Sequence, residues 1–179
     1  ERSLDADQDF RCDHSVVFMT RKHMTNNDVP VRNQWLEFEL PQIHETRLDG
    51  VRTVWVETDG PLSAVLMFRV GMVDETPTTR GITHLVEHLA LASLHTVAHP
   101  YQGTTELTHT VFSAAGPPDD IAAFLQKVAA GLVDLPLDRL DLEARVLMAE
   151  SMNDRASVWS SMLAHRFGPR GPGLVAYPE

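Results

Sequence analysis

The sequence predicts an α+β fold, a largely antiparallel sheet with helices packed on one face. Three observations point there. Strand-type runs fill the first half of the chain, and helical spacing begins only at Gly81. Apolar residues make up 43% of 179 positions, enough for a core at a length suited to one domain or slightly more. The resulting order of strands, helix, strand and two helices is that of a sheet with helices segregated to one side.

The elements follow in order. Residues 1–34 are polar, with Asn26-Asn27-Asp28 and Pro30 as turn signals, and read as a lead-in holding one short strand at Ser15–Met19. Residues 35–179 read as the folded domain. Trp35–Leu40 alternates polar and apolar positions, as a half-buried strand does. Asp49-Gly50 is a hairpin turn, and Val51–Thr58 is a strand carrying Val51, Val54 and Val56 around Trp55. After the turn at Asp59-Gly60-Pro61, the near-continuous apolar run Ser63–Val70 suits a central strand, and Gly71–Arg80 is a loop. Ile82, Leu85, Val86 and Leu89 then follow helical spacing. Thr104–Ala114, rich in threonine, valine and phenylalanine, reads as one strand. Pro117-Pro118-Asp119-Asp120 opens a helix with the stripe Ile121, Leu125, Val128 and Leu132, and Pro136 ends it. Asp138 is placed to cap a last helix running to about His165. Gly168-Pro169-Arg170-Gly171-Pro172-Gly173 is expected not to be a helix and reads as an ordered loop or linker, and no internal repeat is present.

Composition narrows the function. A net charge of −10 argues against a nucleic-acid binder and suits a surface that attracts cationic peptides. The single cysteine, Cys12, permits neither an intrachain disulfide nor a four-cysteine zinc site and reads as a free thiol. No run approaches the roughly 18 apolar residues of a membrane helix. Glu1-Arg2-Ser3-Leu4-Asp5 has no signal-peptide core, so a cytoplasmic location is the default expectation. The absence of an initiating Met and the end at Tyr177-Pro178-Glu179 fit a processed chain or a fragment. Trp35, Trp55 and Trp159 are expected to anchor a core or an interface. Ser157, Ser160 and Ser161 carry no nucleophile signature.

The chemistry concentrates in His84-Leu85-Val86-Glu87-His88. Positions four apart share a helix face, so His84 and His88 can grip one Zn²⁺ at about 2.0–2.1 Å. Glu87 is close enough to take a proton from a water at the open position of such a metal. With cysteine nearly absent, a third ligand has to be an imidazole or a carboxylate. Glu143 and Glu150 are close to two helical turns apart and share a face. Glu150 would complete a two-histidine, one-carboxylate site, and Glu143 could orient a ligand or the water. His95, His99 and His109 read as surface or hydrogen-bonded histidines.

These residues and their flanks resemble the pitrilysin–insulinase family of inverted zinc metallopeptidases, those with the His-x-x-Glu-His motif. The likeness covers roughly residues 45–179. It runs through Arg47–Val54 as the opening hairpin, Arg69–Pro77 as a strand end and loop, and Arg80–His88 as the start of the metal helix. It continues through Gln102–Phe112 as an edge strand and Leu137-Asp138 with Glu143–Glu150 as the last helix. The resemblance implies a zinc endopeptidase half-domain in which His84, His88 and Glu150 bind zinc. Glu87 would be the general base and Glu143 an accessory acid. Thr104, Thr105, Glu106, Thr108 and Thr110 would line the edge that takes peptide substrate by strand addition.

This chain departs from the family in three ways. The interval from His88 to Glu150 is short, Gln102-Gly103 stands where Asn-Ala is typical, and there is room for only one of the two usual halves. A second homologous half is therefore expected, as a partner subunit, a homodimer mate or a missing C-terminal part. The rival reading is a non-catalytic peptide-binding or assembly subunit, although all the motif residues are intact.

Overall fold

The computed structural model describes residues 15–19, 42–48, 50–57, 61–92, 94, 100–153 and 157–177. Six strands form one sheet: β1 (Ser15–Met19), β2 (Ile43–Leu48), β3 (Val51–Val56), β4 (Leu62–Phe68), β5 (Tyr101–Thr105) and β6 (Thr110–Gly116). Their spatial order is β2-β3-β1-β4-β6-β5. β1 pairs with β3 in parallel, and every other neighbouring pair is antiparallel. The helices are α1 (Ile82–Leu91), α2 (Pro118–Val133), α3 (Leu140–Asn153) and α4 (Val158–Phe167). α1 lies on β5, α2 lies on β4 and β6, and the two helices touch each other. The architecture is α+β, as the sequence predicts.

β6 explains where the core sits. Its burial alternates strictly, with Thr110, Phe112, Ala114 and Gly116 buried, which is the signature of a strand with one face packed. Phe112, Ala114 and Ala64 of β4 meet Ala90, Leu94, Ile121, Phe124 and Val128 from the helical side. Each large apolar side chain buried here contributes on the order of 1.5–3 kcal/mol. α3 stands apart from this core and packs chiefly on α1. Among its residues whose burial is described, Glu143 and Leu147 are buried, while Leu140, Leu142 and Met148 are exposed.

Three sequence expectations are corrected. Thr104–Ala114 is two strands, because the chain reverses between Thr105 and Thr110, which pair across the hairpin. Glu106 N donates to His109 O at 2.8 Å, and Glu106 O and Leu107 O accept from Met72 N and Val73 N at 3.1 and 2.9 Å. That turn has no Gly, Pro or Asn, so the usual signals were missing. The helix expected from Asp138 to about His165 is also two. Asp138 sits in a 3-10 turn, Leu137–Arg139, and α4 starts afresh where the Ser157 hydroxyl accepts from Ser160 N at 3.0 Å. The glycine-proline tail is not a linker but a 3-10 helix, Gly171–Ala176, with Leu174 buried against the rest. Trp159 is 64% exposed and so lies outside this chain's core, whereas Trp55 stacks on His44 with centroids 5.2 Å apart. Trp35–Leu40, Cys12, His95 and His99 lie outside the described residues, as does the lead-in apart from β1.

Candidate metal centre

α1 begins at Gly81, which has φ of 89° and no side chain with which to cap the helix. Glu75 supplies the cap from the preceding loop. Its Oε2 accepts from Gly81 N at 3.0 Å and its Oε1 from Thr83 N at 2.9 Å. A carboxylate here satisfies two of the helix's free N–H groups and meets the positive end of its dipole. Arg80 Nη1 donates to Glu75 Oε2 at 3.0 Å, and Arg80 Nε donates to Leu174 O at 3.1 Å. Both charged side chains are nearly buried, at 8% and 2% exposure. The loop, the first turn of α1 and the tail are thereby fastened together immediately before His84.

His84 and His88 then project from one face of α1. Their Nε2 atoms lie 3.2 Å apart, with ring planes at 83°. Glu150 Oε2, arriving from α3, is 3.6 Å from each of them. Ligand atoms at about 2.0–2.1 Å from a tetrahedral zinc stand about 3.3 Å from one another. The three observed separations match that spacing closely, so the donor set fits one zinc ion with only slight adjustment. Among the described residues, these three form the one group of metal-ligating side chains with converging donor atoms.

The surrounding groups complete the arrangement. Glu143 Oε2 lies 3.4 Å from His88 Nδ1, and its Oε1 accepts from Arg139 Nε and Nη2 at 3.2 and 2.9 Å. A carboxylate behind a ligating imidazole holds the ring and fixes which nitrogen faces the metal. Glu143 is thus placed to orient His88. Glu87 is buried, with Oε2 3.7 Å from His84 Nε2. Burial pushes its carboxyl above the ordinary range, against the pull of the His88 and His84 imidazoles. Three carboxylates against one guanidinium leave a site whose charge suits a divalent cation.

No protein-family model and no curated protein matches this chain.

The expected substrate residues divide. Thr104 and Thr105 lie on β5, the edge strand of the sheet among the described residues, but Thr105 is buried, and its Oγ1 finds no hydrogen-bond partner among the described residues. Glu106 and Thr108 are exposed in the hairpin turn. Thr110 is on β6, paired on both sides, and its hydroxyl donates to Val70 O at 2.8 Å, so it is structural. His109 is tied to Thr108 Oγ1 at 3.3 Å in the turn and is not part of the metal group.

Sequence reasoning missed Arg139, although its spacing of four from Glu143 is a readable helix pair. It also missed the capping role of Glu75, which lies outside the helix that it caps.

Proposed function

We propose that this chain is a zinc-dependent endopeptidase half-domain that hydrolyses peptide bonds of extended peptides. The observation that carries this reading is the convergence of His84 Nε2, His88 Nε2 and Glu150 Oε2 beside the buried Glu87 carboxylate. A zinc ion held by those atoms supplies Lewis acidity, which polarises a carbonyl and lowers the pKa of water towards about 7.

The chain's own groups do the rest. Glu87 takes one proton from the attacking water as its oxygen adds to the scissile carbonyl carbon. It returns that proton to the leaving nitrogen as the C–N bond breaks. Glu143, held by Arg139, keeps His88 oriented throughout. β5, the edge strand among the described residues, would offer backbone donors and acceptors to an extended peptide, which favours tolerance of sequence. The negative charge favours cationic substrates.

A second reading, a non-catalytic assembly subunit, draws on the exposed apolar side chains of α3 and α4, among them Leu142, Met148, Trp159 and Met162. The same surface suits a second homologous half.

One experiment separates the two readings. The purified chain is titrated with Zn²⁺ and assayed on an unstructured fluorogenic peptide, with and without chelator. The expected result is one zinc per chain, chelator-sensitive cleavage, and a Glu87→Gln variant that keeps zinc but loses turnover about 10²–10⁴-fold. Native-rate cleavage by Glu87→Gln rejects the assignment of the base. Zinc-free chain that binds peptide without cleaving it establishes the assembly reading.

A further inference from the structure

We propose that Gly71 is a positioning residue that fixes the peptide-pairing strand, β5, relative to the metal helix α1. The inference deepens the reading of α1 and β5 as metal and substrate elements and rests on it.

The loop after β4 is fastened at both ends. At its far end Glu75 caps α1 and pairs with Arg80. At its near end it grips the turn between β5 and β6. Met72 N and Val73 N donate to Glu106 O and Leu107 O at 3.1 and 2.9 Å, and Val70 O accepts from Thr110 Oγ1 at 2.8 Å. Asp74 alone separates the two attachments in sequence. One short stretch of chain therefore holds both the β5–β6 turn and the start of α1.

Gly71 stands at the closest point of that grip. A Cβ on Gly71 would lie 2.5 Å from Glu106 O, 2.6 Å from His109 N and 2.8 Å from Leu107 O. All three are backbone atoms, with no rotamer through which to yield, and ordinary contact is about 3.5 Å. The φ of −152° at Gly71 is extended and open to any residue, so the demand for glycine is one of space alone. Gly71 also closes the 3-10 turn Met72–Asp74 that presents the two donors. Its N–H donates to Asp74 Oδ2 at 2.9 Å, and its carbonyl accepts from Asp74 N at 3.0 Å.

A methyl on Gly71 has to push the two segments apart by roughly 1 Å. The loop side cannot give way. Gly71 follows β4, which is paired with β1 and β6, and the buried Glu75–Arg80 pair pins the far end. The turn leads into β5, the edge strand among the described residues, so the turn moves and carries the end of β5 with it. A peptide added to β5 still pairs with the strand, but its scissile carbonyl is displaced from the metal. A misplacement of about 1 Å costs on the order of 100-fold in rate.

The test uses the full chain with Co²⁺ in place of zinc, because the paramagnetic shift at each amide depends on its position relative to the metal. In Gly71→Ala the shifts of Gln102–Thr105 should change, while those of β4 stay as in wild type. With zinc bound, kcat should fall about 100-fold, with KM and zinc affinity within about threefold of wild type. Asp74→Ala inserts no atom and only loosens the turn, so it should move the same amides less and lower kcat about tenfold. Asp74→Asn keeps an oxygen for Gly71 N and should restore wild-type values. If Gly71→Ala does not fold, the Asp74 pair decides. Unmoved β5 shifts, native kcat in the impaired variants, or equal behaviour of Asp74→Ala and Asp74→Asn overturns the proposal. A loss of metal affinity also overturns it, since the loop then serves the metal helix and not the strand. A wild-type chain that binds no metal rejects the metal reading and this inference with it. One that binds metal but cleaves nothing rejects the peptidase reading, while the Co²⁺ shifts still judge the placement of β5.

Discussion

Glu75 and Glu87 are the same residue type, nearly equally buried at 7% and 5% exposure, one in the loop that caps α1 and the other within α1. Their surroundings differ in kind. Glu75 accepts from two backbone N–H groups and from Arg80, so its charge is matched on every side it presents. Glu87 shares its space with two imidazoles and a second carboxylate, and burial raises its proton affinity. One carboxylate is saturated and therefore rigid. The other is buried with its proton affinity raised, as the proposed role of general base would use. Burial alone thus does not distinguish an acid saturated by donors from one left with raised proton affinity, whereas the donors around it do.

The largest expected effect is at the saturated end. Glu75→Ala removes the buried carboxylate that Arg80 pairs with and the cap of α1, and should cost about 3–5 kcal/mol. Thermal unfolding should register a fall of about 10 °C. A fall of under about 2 °C would make the two glutamates equivalent and break the comparison.

Metal comes next. α3 meets α1 through Glu143, Leu147 and Glu150, a stripe with a single apolar residue between two acids. Zinc should therefore dock α3 as well as complete the site. At 100 times its dissociation constant it should add about 2.7 kcal/mol of stability. Amide exchange should slow on zinc addition across Leu140–Asn153 and change little in β4 and β6. Equal slowing throughout the sheet would show that the metal stabilises the whole domain and not this helix.

A smaller effect is expected one contact further out. Arg139→Gln frees Glu143, loosens His88 and should weaken zinc binding about tenfold, with Arg139→Lys intermediate because it cannot make the paired contact. Unchanged affinity would remove Arg139 from the site.

The smallest effect sharpens the comparison by its sign. The folded-state pKa of Glu87 is raised, so in the metal-free protein its ionisation opposes folding. Stability should fall as pH rises from the unfolded value, about 4.3, through the folded one. Glu87→Gln should therefore be more stable than wild type at pH 7 in chelator, and the advantage should vanish below about pH 4. If chemical denaturation finds Glu87→Gln less stable at neutral pH, the carboxylate is structural after all.

Much of this was legible beforehand, and particular residues explain why. The proposed ligands His84 and His88 are four apart on one helix, and Glu143 and Glu150 are seven apart on another, so periodicity alone put each pair on a face. β4 was readable as central from its apolar run, and α2 from its proline and acids at the start. The β5–β6 hairpin was not legible, because the turn Glu106–His109 is held by the Met72–Val73 backbone and not by turn-forming residues. The break between α3 and α4 escaped notice because helix-compatible residues continue on both sides of Ser157, whose cap is visible only as a hydrogen bond.

Local spacing, then, determined which residues could act together within each helix, because a helix repeats every 3.6 residues or so regardless of what surrounds it. Only the tertiary structure decided that α3 faces α1 with Glu150 converging on both imidazoles, that Glu75 caps a helix it does not belong to, and that Glu87 rests on the bare backbone of Gly103. Those are contacts between segments far apart along the chain or on different elements. They depend on how a packed core sets the distance between layers, which no local pattern encodes.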